Sequence, residues 1–226
     1  LRGQAWQAET IAGLVGRECA VSDGVAGILL AGGLSRRMGG GDKCLRLLGG
    51  RTILSRIVEA VTPQVDVLAL NANGAPLRFA DFGLPVIADT VTGNVGPLAG
   101  VLTGMEWAAA HRPDCAWIAT VPTDAPFLPS DLVGRLTAAV SESGSDMGCT
   151  ASGGRSHPVC GLWPVHLRGA LRAAVVEEGI RKVDVWTGRY SLSIVEFAVE
   201  PYDPFFNTNR PEDLSQAEAM LSRAGA

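Results

Sequence analysis

Two clusters in this 226-residue sequence have residue types and spacings suited to holding phosphate. The first runs Leu30-Ala31-Gly32-Gly33-Leu34-Ser35-Arg36-Arg37-Met38-Gly39-Gly40-Gly41-Asp42-Lys43, directly after the apolar stretch Val25 to Leu30. Glycines let a backbone approach a polyphosphate closely, with bare amides pointing at its oxygens. Arg36, Arg37 and Lys43 add cationic groups for the charge that builds on a leaving pyrophosphate. The GxxxxGK[ST] and GxGxxG spacings are absent, so neither of the commoner glycine loops applies. A flexible surface turn is the bland alternative, and the three basic residues after a buried strand weigh against it. The second cluster is Pro122-Thr123-Asp124-Ala125-Pro126, just past another apolar run. A lone carboxylate at the carboxyl end of a strand, in a turn stiffened by prolines, suits a Mg²⁺ ligand. An Asp that only stabilises its own turn is the competing explanation.

The elements that must position these residues follow from the apolar pattern. Strands are predicted at Val25–Leu30, Val65–Leu70 (ending at Asn71), Val86–Ile87 and Cys115–Val121. Helices are predicted from Thr52 to Val61 with Thr52 as cap, from Gly96 to His111 with Pro97 in the first turn, and from Ser130 with Asp131 in its first turn. Strand and helix alternating at this spacing imply βαβ units and a mostly parallel sheet, buried on both faces. The later part is less regular. Strands near Met147–Thr150, Pro158–Trp163 and Leu192–Phe197, a helix from Val165 to about Glu178 and a terminal helix from Pro211 extend the same sheet. The fold class is α/β, with a three-layer Rossmann-like arrangement. Residues 1–23 read as a leader or tail, poorly ordered, and residues 24–226 as a single domain.

The net charge of −4, without blocks of like charge, argues against a nucleic-acid partner, so any anion must be held by local features. No apolar run approaches the ~20 residues of a membrane span, and no secretory signal pattern is present, which leaves the cytoplasm as the expected location. The five cysteines (Cys19, Cys44, Cys115, Cys149 and Cys160) are scattered and odd in number. They read as small buried hydrophobes, not as a disulfide framework or zinc site.

The stretch Leu30 to Lys43 resembles the signature of Rossmann-like nucleotidyltransferases of the nucleotide-diphospho-sugar transferase type. Its form is similar to the molybdenum cofactor guanylyltransferases, the MobA type, and the resemblance extends from about Val25 to Leu221. It implies transfer of GMP from GTP to the terminal phosphate of molybdopterin or Mo-molybdopterin, with Mg²⁺ as cofactor. By the same resemblance Arg37, Lys43 and Asp124 are catalytic. Leu30, Ala31, Gly32, Gly33, Lys43, Asn71, Asp89, Gly96 and Asp124 bind the nucleotide. Asp124 holds the metal, with Asn209 as a candidate second ligand, and His157, Asn207 and Asn209 lie on the acceptor side. Molybdenum-insertion proteins and molybdoenzyme chaperones are implied as partners.

The residues also admit plainer roles. Asn71 and Asp89 could be strand-end turn residues, Gly96 a helix cap, and His157 a packed or surface histidine. Asn209 precedes a Pro-initiated helix and could cap it. Arg181 and Lys182 could attract the acceptor phosphate or form a solvated helix face. Thr123 and Ala125 depart from the Cys and Thr usual in the family, but Asp124 is in place. Rival functions are a cytidylyltransferase, which tends to carry Leu-Ala-Ala-Gly in the loop, a sugar-1-phosphate nucleotidyltransferase, and a non-catalytic GTP- or cofactor-binding protein. Lys43 and Asp124 together speak against the last.

Overall fold

The computed structural model describes residues 24–32, 42–93 and 95–224. The leader 1–23, Gly33, Arg36 and Arg37 lie outside the described residues. In chain order the elements are β1 (Gly24–Leu30), β2 (Leu47–Leu48), β3 (Arg51–Thr52), α1 (Ile53–Val61), β4 (Val67–Asn71), β5 (Val86–Ile87), α2 (Pro97–His111) and β6 (Cys115–Pro122). Then follow α3 (Leu132–Ser143), β7 (Met147–Ser152), β8 (Arg155–Pro164), α4 (Arg168–Val176), α5 (Val183–Thr187), β9 (Leu192–Phe197) and α6 (Pro211–Ala224).

Seven strands form one sheet in the order β5-β4-β1-β6-β8-β7-β9. β8 pairs antiparallel with both of its neighbours, and all the other pairings are parallel. The mostly parallel sheet expected from the strand spacing is therefore present, and the strands of the second half extend it. Side chains of β1 alternate between two apolar layers. Val25 and Leu29 face Ile53, Leu54 and Ile57 of α1 and Leu132, Val133 and Leu136 of α3. Ala26, Ile28 and Leu30 face Leu98, Val101 and Leu102 of α2, Leu171 of α4 and Trp186 of α5. Helices thus cover both faces, which is why β1 is buried along its whole length and shows no polar alternation.

Local chemistry explains the element ends. Thr52 caps α1 as expected, its hydroxyl accepting from Ser55 N at 3.1 Å. α3 starts two residues later than Ser130, with Asp131 at the cap position and no side-chain cap bond. The stretch from Val165 opens as a 3-10 turn before α4, and α4 ends at Val176, short of Glu178. The β2–β3 hairpin, the 3-10 segment Pro76–Phe82 and α5 were not expected; each is too short for a periodic signal. No helix among the described residues is long and apolar enough to cross a membrane.

Glycine brings α2 unusually close to the sheet. A Cβ on Gly104 would lie 2.7 Å from Ile28 Cγ1 and 3.2 Å from Ile118 Cδ1. Gly104→Ala gains up to ~1 kcal/mol in helix propensity but overpacks a stiff β-branched neighbour, typically at ~1–3 kcal/mol. The expected outcome in urea unfolding is a net loss of about 1 kcal/mol with an unchanged denaturant slope.

Candidate active site

The chain runs from β1 outward to β4 and β5, then returns across the sheet to β6 on the other side of β1. That reversal opens a crevice at the carboxyl ends of β1 and β6, where ligands of open α/β sheets bind. A cavity of about 580 Å³ lies there. It gathers Leu30, Ala31 and Gly32 after β1, Lys43, Asn71 after β4, Asp89, Gly96 before α2, Asp124 after β6, and His157 and Asn207. Of the described candidates from the sequence, Asn209, Arg181 and Lys182 are absent from this lining. The Arg181 guanidinium donates instead to Val175 O and Ile180 O.

At one end, Asp89 is the hub of an amide network. Its Oδ1 accepts from Asn71 Nδ2 at 2.9 Å and its Oδ2 from Asn73 Nδ2 at 2.8 Å, while Asp89 N donates to Asn73 Oδ1. Each oxygen keeps lone-pair capacity for a further donor. Arg78 ties this end to the glycine loop: Nε donates to Asp42 Oδ2 at 2.6 Å and the guanidinium also reaches Asn73 O and Ala75 O. Asn73, Arg78 and Asp42 were not singled out from the sequence; the Asn71-x-Asn73 spacing on one side of a strand end is the signal that could have found Asn73. Gly96 has φ 77° and ψ −165°, a backbone open to glycine, and places the start of α2 on the cavity. Gly100 allows the closest approach, since a Cβ there would lie 2.5 Å from Asn71 Oδ1.

In the middle of the cavity, Thr123 bonds Leu30 O through both its amide and its hydroxyl, at 3.3 and 3.2 Å. The next residue, Asp124, has its carbonyl held by Thr208 N and Oγ1, at 2.8 and 3.0 Å. The amide of Asn207 meets only acceptors on one side; with its NH₂ turned there it donates to Asp124 Oδ1 at 3.2 Å and Phe205 O at 3.3 Å. Burial pushes the Asp124 carboxyl above the usual carboxylate range, and the attraction of Lys43 opposes this without cancelling it. Lys43 Nζ donates to Asn209 Oδ1 at 2.9 Å. Asn209 therefore does not cap α6 with its side chain; Asp213 does that work from the first turn, accepting from Asn209 N and Arg210 N.

At the far end Arg155, Ser156, His157 and Phe205 line the cavity. His157 packs against Phe205 with centroids 4.6 Å apart and the rings tilted by 32°. The four described cysteines are free and buried, as expected. Burial, joined by Asp42, pushes the Cys44 thiol, which lines this cavity, up to about 11.

An open, mostly parallel sheet with Ala31, Gly32, Lys43 and the desolvated Asp124 carboxylate converging on its switch point has the form of a nucleotide-binding α/β transferase domain. Residues 27–189 match the MobA-like NTP transferase domain, and the chain belongs to that family. A molybdenum cofactor guanylyltransferase of Rhodopseudomonas palustris (strain BisB5) is 57% identical over 196 residues, covering 87% of this chain and 93% of the relative. The crystal structure of molybdopterin-guanine dinucleotide biosynthesis protein A from Archaeoglobus fulgidus has the same fold, with a TM-score of 0.68 at 24% identity, covering 88% of this chain and 99% of that one. A Mycobacterium tuberculosis protein, Rv0371c, solved in complex with manganese, shares it with a TM-score of 0.62 at 16% identity, covering 87% and 98%.

The desolvated charge on Asp124 costs stability above its raised pKa, and that cost disappears as the pH falls below the ordinary Asp range. In the chelator-treated protein, Asp124→Asn is therefore expected to melt at or above the wild-type temperature at neutral pH, with the gap closing in acid. A lower midpoint at neutral pH would mean that the pull of Lys43 outweighs desolvation. Gly100→Ala is expected to displace Asn71 from Asp89 and weaken nucleotide binding about tenfold by calorimetry, the scale of one lost buried hydrogen bond.

Proposed function

We propose that this protein transfers GMP from GTP to the terminal phosphate of molybdopterin, releasing pyrophosphate and forming the guanine dinucleotide cofactor in the cytoplasm. The observation that carries this reading is the convergence of Asp124, Lys43 and the Asn71–Asp89 pair in one cavity, in a chain 57% identical to a molybdenum cofactor guanylyltransferase.

In this reading the guanine lies against Asp89. A carboxylate offers two acceptors side by side, matching guanine's N1–H and 2-amino group, whereas cytosine presents a single amino donor. The triphosphate runs past Ala31 and Gly32, with the start of α2 close by and Lys43 neutralising its charge. An oxygen of the acceptor phosphate attacks the α-phosphorus as the bond to the β-phosphate oxygen breaks. That oxygen is already ionised at neutral pH, so no general base is needed, and the chain's task is alignment and charge neutralisation. Asn209 serves by orienting Lys43.

The site fits a hard divalent cation, which we take to be Mg²⁺. Among the described residues no three His, Cys, Asp or Glu side chains could cage a metal, in keeping with an ion that relies on few carboxylates plus phosphate and water. Asp124 would hold it, and the adjacent Asn207 amide, turned over, would offer an oxygen beside the Asp124 carboxylate. Bound there, the ion would stabilise charge developing on the transferred phosphoryl group.

Calorimetry with GTP and CTP in Mg²⁺ tests this reading. GTP is expected to bind at least ~10-fold more tightly than CTP, because guanine brings the half-buried Asp89 carboxylate two donors where cytosine brings one. Asp124→Asn is expected to slow pyrophosphate release with molybdopterin by roughly 10²–10³, the scale for losing one charge-stabilising group. A preference for CTP, or an Asp124→Asn variant that turns over normally, would overturn the assignment.

A further inference from the structure

One hydrogen-bonded chain at the far end of the cavity is unused by the chemistry above. Ser152 Oγ, at the end of β7, lies 2.7 Å from His157 Nε2 and 2.8 Å from Asp203 Oδ1. The same Asp203 oxygen accepts from Phe205 N at 2.9 Å, which holds the carboxylate in place. Ser152 is 3% exposed, while His157 lines the cavity.

A hydroxyl has one proton to give. Asp203, as a carboxylate, only accepts, so the Ser152 proton lies toward Asp203 and the serine oxygen must accept from His157. The imidazole proton is therefore on Nε2. This order is the reverse of a nucleophilic Ser–His–Asp triad, in which the histidine takes the serine proton and the Asp orients the histidine. A buried serine whose proton is already committed attacks nothing. The neutral ring has one N–H, which leaves Nδ1 as a bare acceptor, and Nδ1 makes no hydrogen bond to a described residue. Burial holds the ring's pKa below the usual histidine range, opposed by Asp203, assisted by Arg155 and opposed again by Glu196.

We propose that Ser152 and Asp203 are positioning residues that lock His157 as its Nε2–H tautomer, so that Nδ1 receives an N–H donor of the acceptor's heterocycle and not its phosphate. The substrate half of this proposal rests on the transferase reading above, with His157 on the acceptor side; the tautomer half does not. A pterin carries ring N–H and amino donors that such a nitrogen can accept, whereas a phosphate oxygen facing a bare lone pair would be repelled.

Long-range ¹H–¹⁵N correlation NMR of the ligand-free full chain reads the tautomer directly, with His157 identified by the signal lost in His157→Gln. His111 is an internal contrast, because its Nδ1 lies 3.0 Å from the carbonyl of Trp107 and must carry the proton. The expected result is Nε2–H for His157 in the wild type, a mixed population in Ser152→Ala, and recovery in Ser152→Thr. An Nδ1–H tautomer in the wild type would overturn the proposal without need of any variant, as would a tautomer indifferent to both Ser152→Ala and Asp203→Asn. In turnover, Ser152→Ala is expected to raise KM for molybdopterin about five- to tenfold, the scale of one hydrogen bond, with Kd for GTP unchanged. A matching loss of GTP affinity would overturn the substrate half. A wild-type protein that shows the Nε2–H tautomer but does not turn over would instead refute the transferase reading.

Discussion

The hydrogen bonds from Thr123 to Leu30 O hold the carboxyl ends of two neighbouring parallel strands side by side, and the site is built around that junction. β1 and β6 end at the same level, with Leu30 opposite Pro122, and both chains go on to helices on one face of the sheet, α1 and α3. The glycine loop departs from one end and Asp124 from the other. Parallel pairing makes this possible, because every crossover returns the chain to the same edge and delivers successive strand ends to one rim. The later strands obey the same geometry. The antiparallel β8 begins where its parallel neighbours finish, so Arg155 and His157 open onto the crevice that Leu30 and Asp124 close.

Anion binding in an acidic chain must come from local order, and the cavity shows how. Few charges line it, and most are already tied: Asp42 to Arg78, Lys43 to Asn209, and Asp89 to two asparagine amides. Side chains held in this way lose little freedom when a ligand arrives, which favours recognition by geometry over bulk charge. Asp124 is tied less closely. It sits partly desolvated, its carboxyl pushed up by burial, with the pull of Lys43, a backbone hydrogen bond and an amide from Asn207 in partial compensation. A carboxylate kept short of partners is a standing cost to the fold, and in the proposed reading it is the group that takes up the cation.

Glycines at α2 connect the fold to the site. Gly104 lets the helix settle against Ile28 and Ile118, and Gly100, one turn earlier, lets it settle against Asn71 and Leu30. The same spacing that stabilises the layer therefore seats the amide that holds Asp89. An added methyl group would reach the two places differently, meeting core hydrocarbon at one and a polar site residue at the other.

The apolar run Val25–Leu30, the glycines and basic residues behind it, and the carboxylate after the Cys115–Val121 run were legible because each is a local pattern. Strand periodicity, helix caps such as Thr52 and a loop signature need only neighbours in the chain. The short elements β2, β3 and α5 have too few residues to carry a period, and Asn73, Arg78, Thr208, Ser152 and Asp203 acquire roles only across long separations. Asn209 shows the difference. Local rules make it a cap for α6, but Asp213 takes that place and frees its oxygen for Lys43, 166 residues away in sequence. Composition and motif thus pointed to an α/β chain of the nucleotidyltransferase kind, with a glycine- and arginine-rich stretch after its first strand and a lone carboxylate after a later one. Which side chains face one another across the crevice followed from strand order and register, because hydrogen bonds between distant residues are set by packing and leave no periodic trace in the chain.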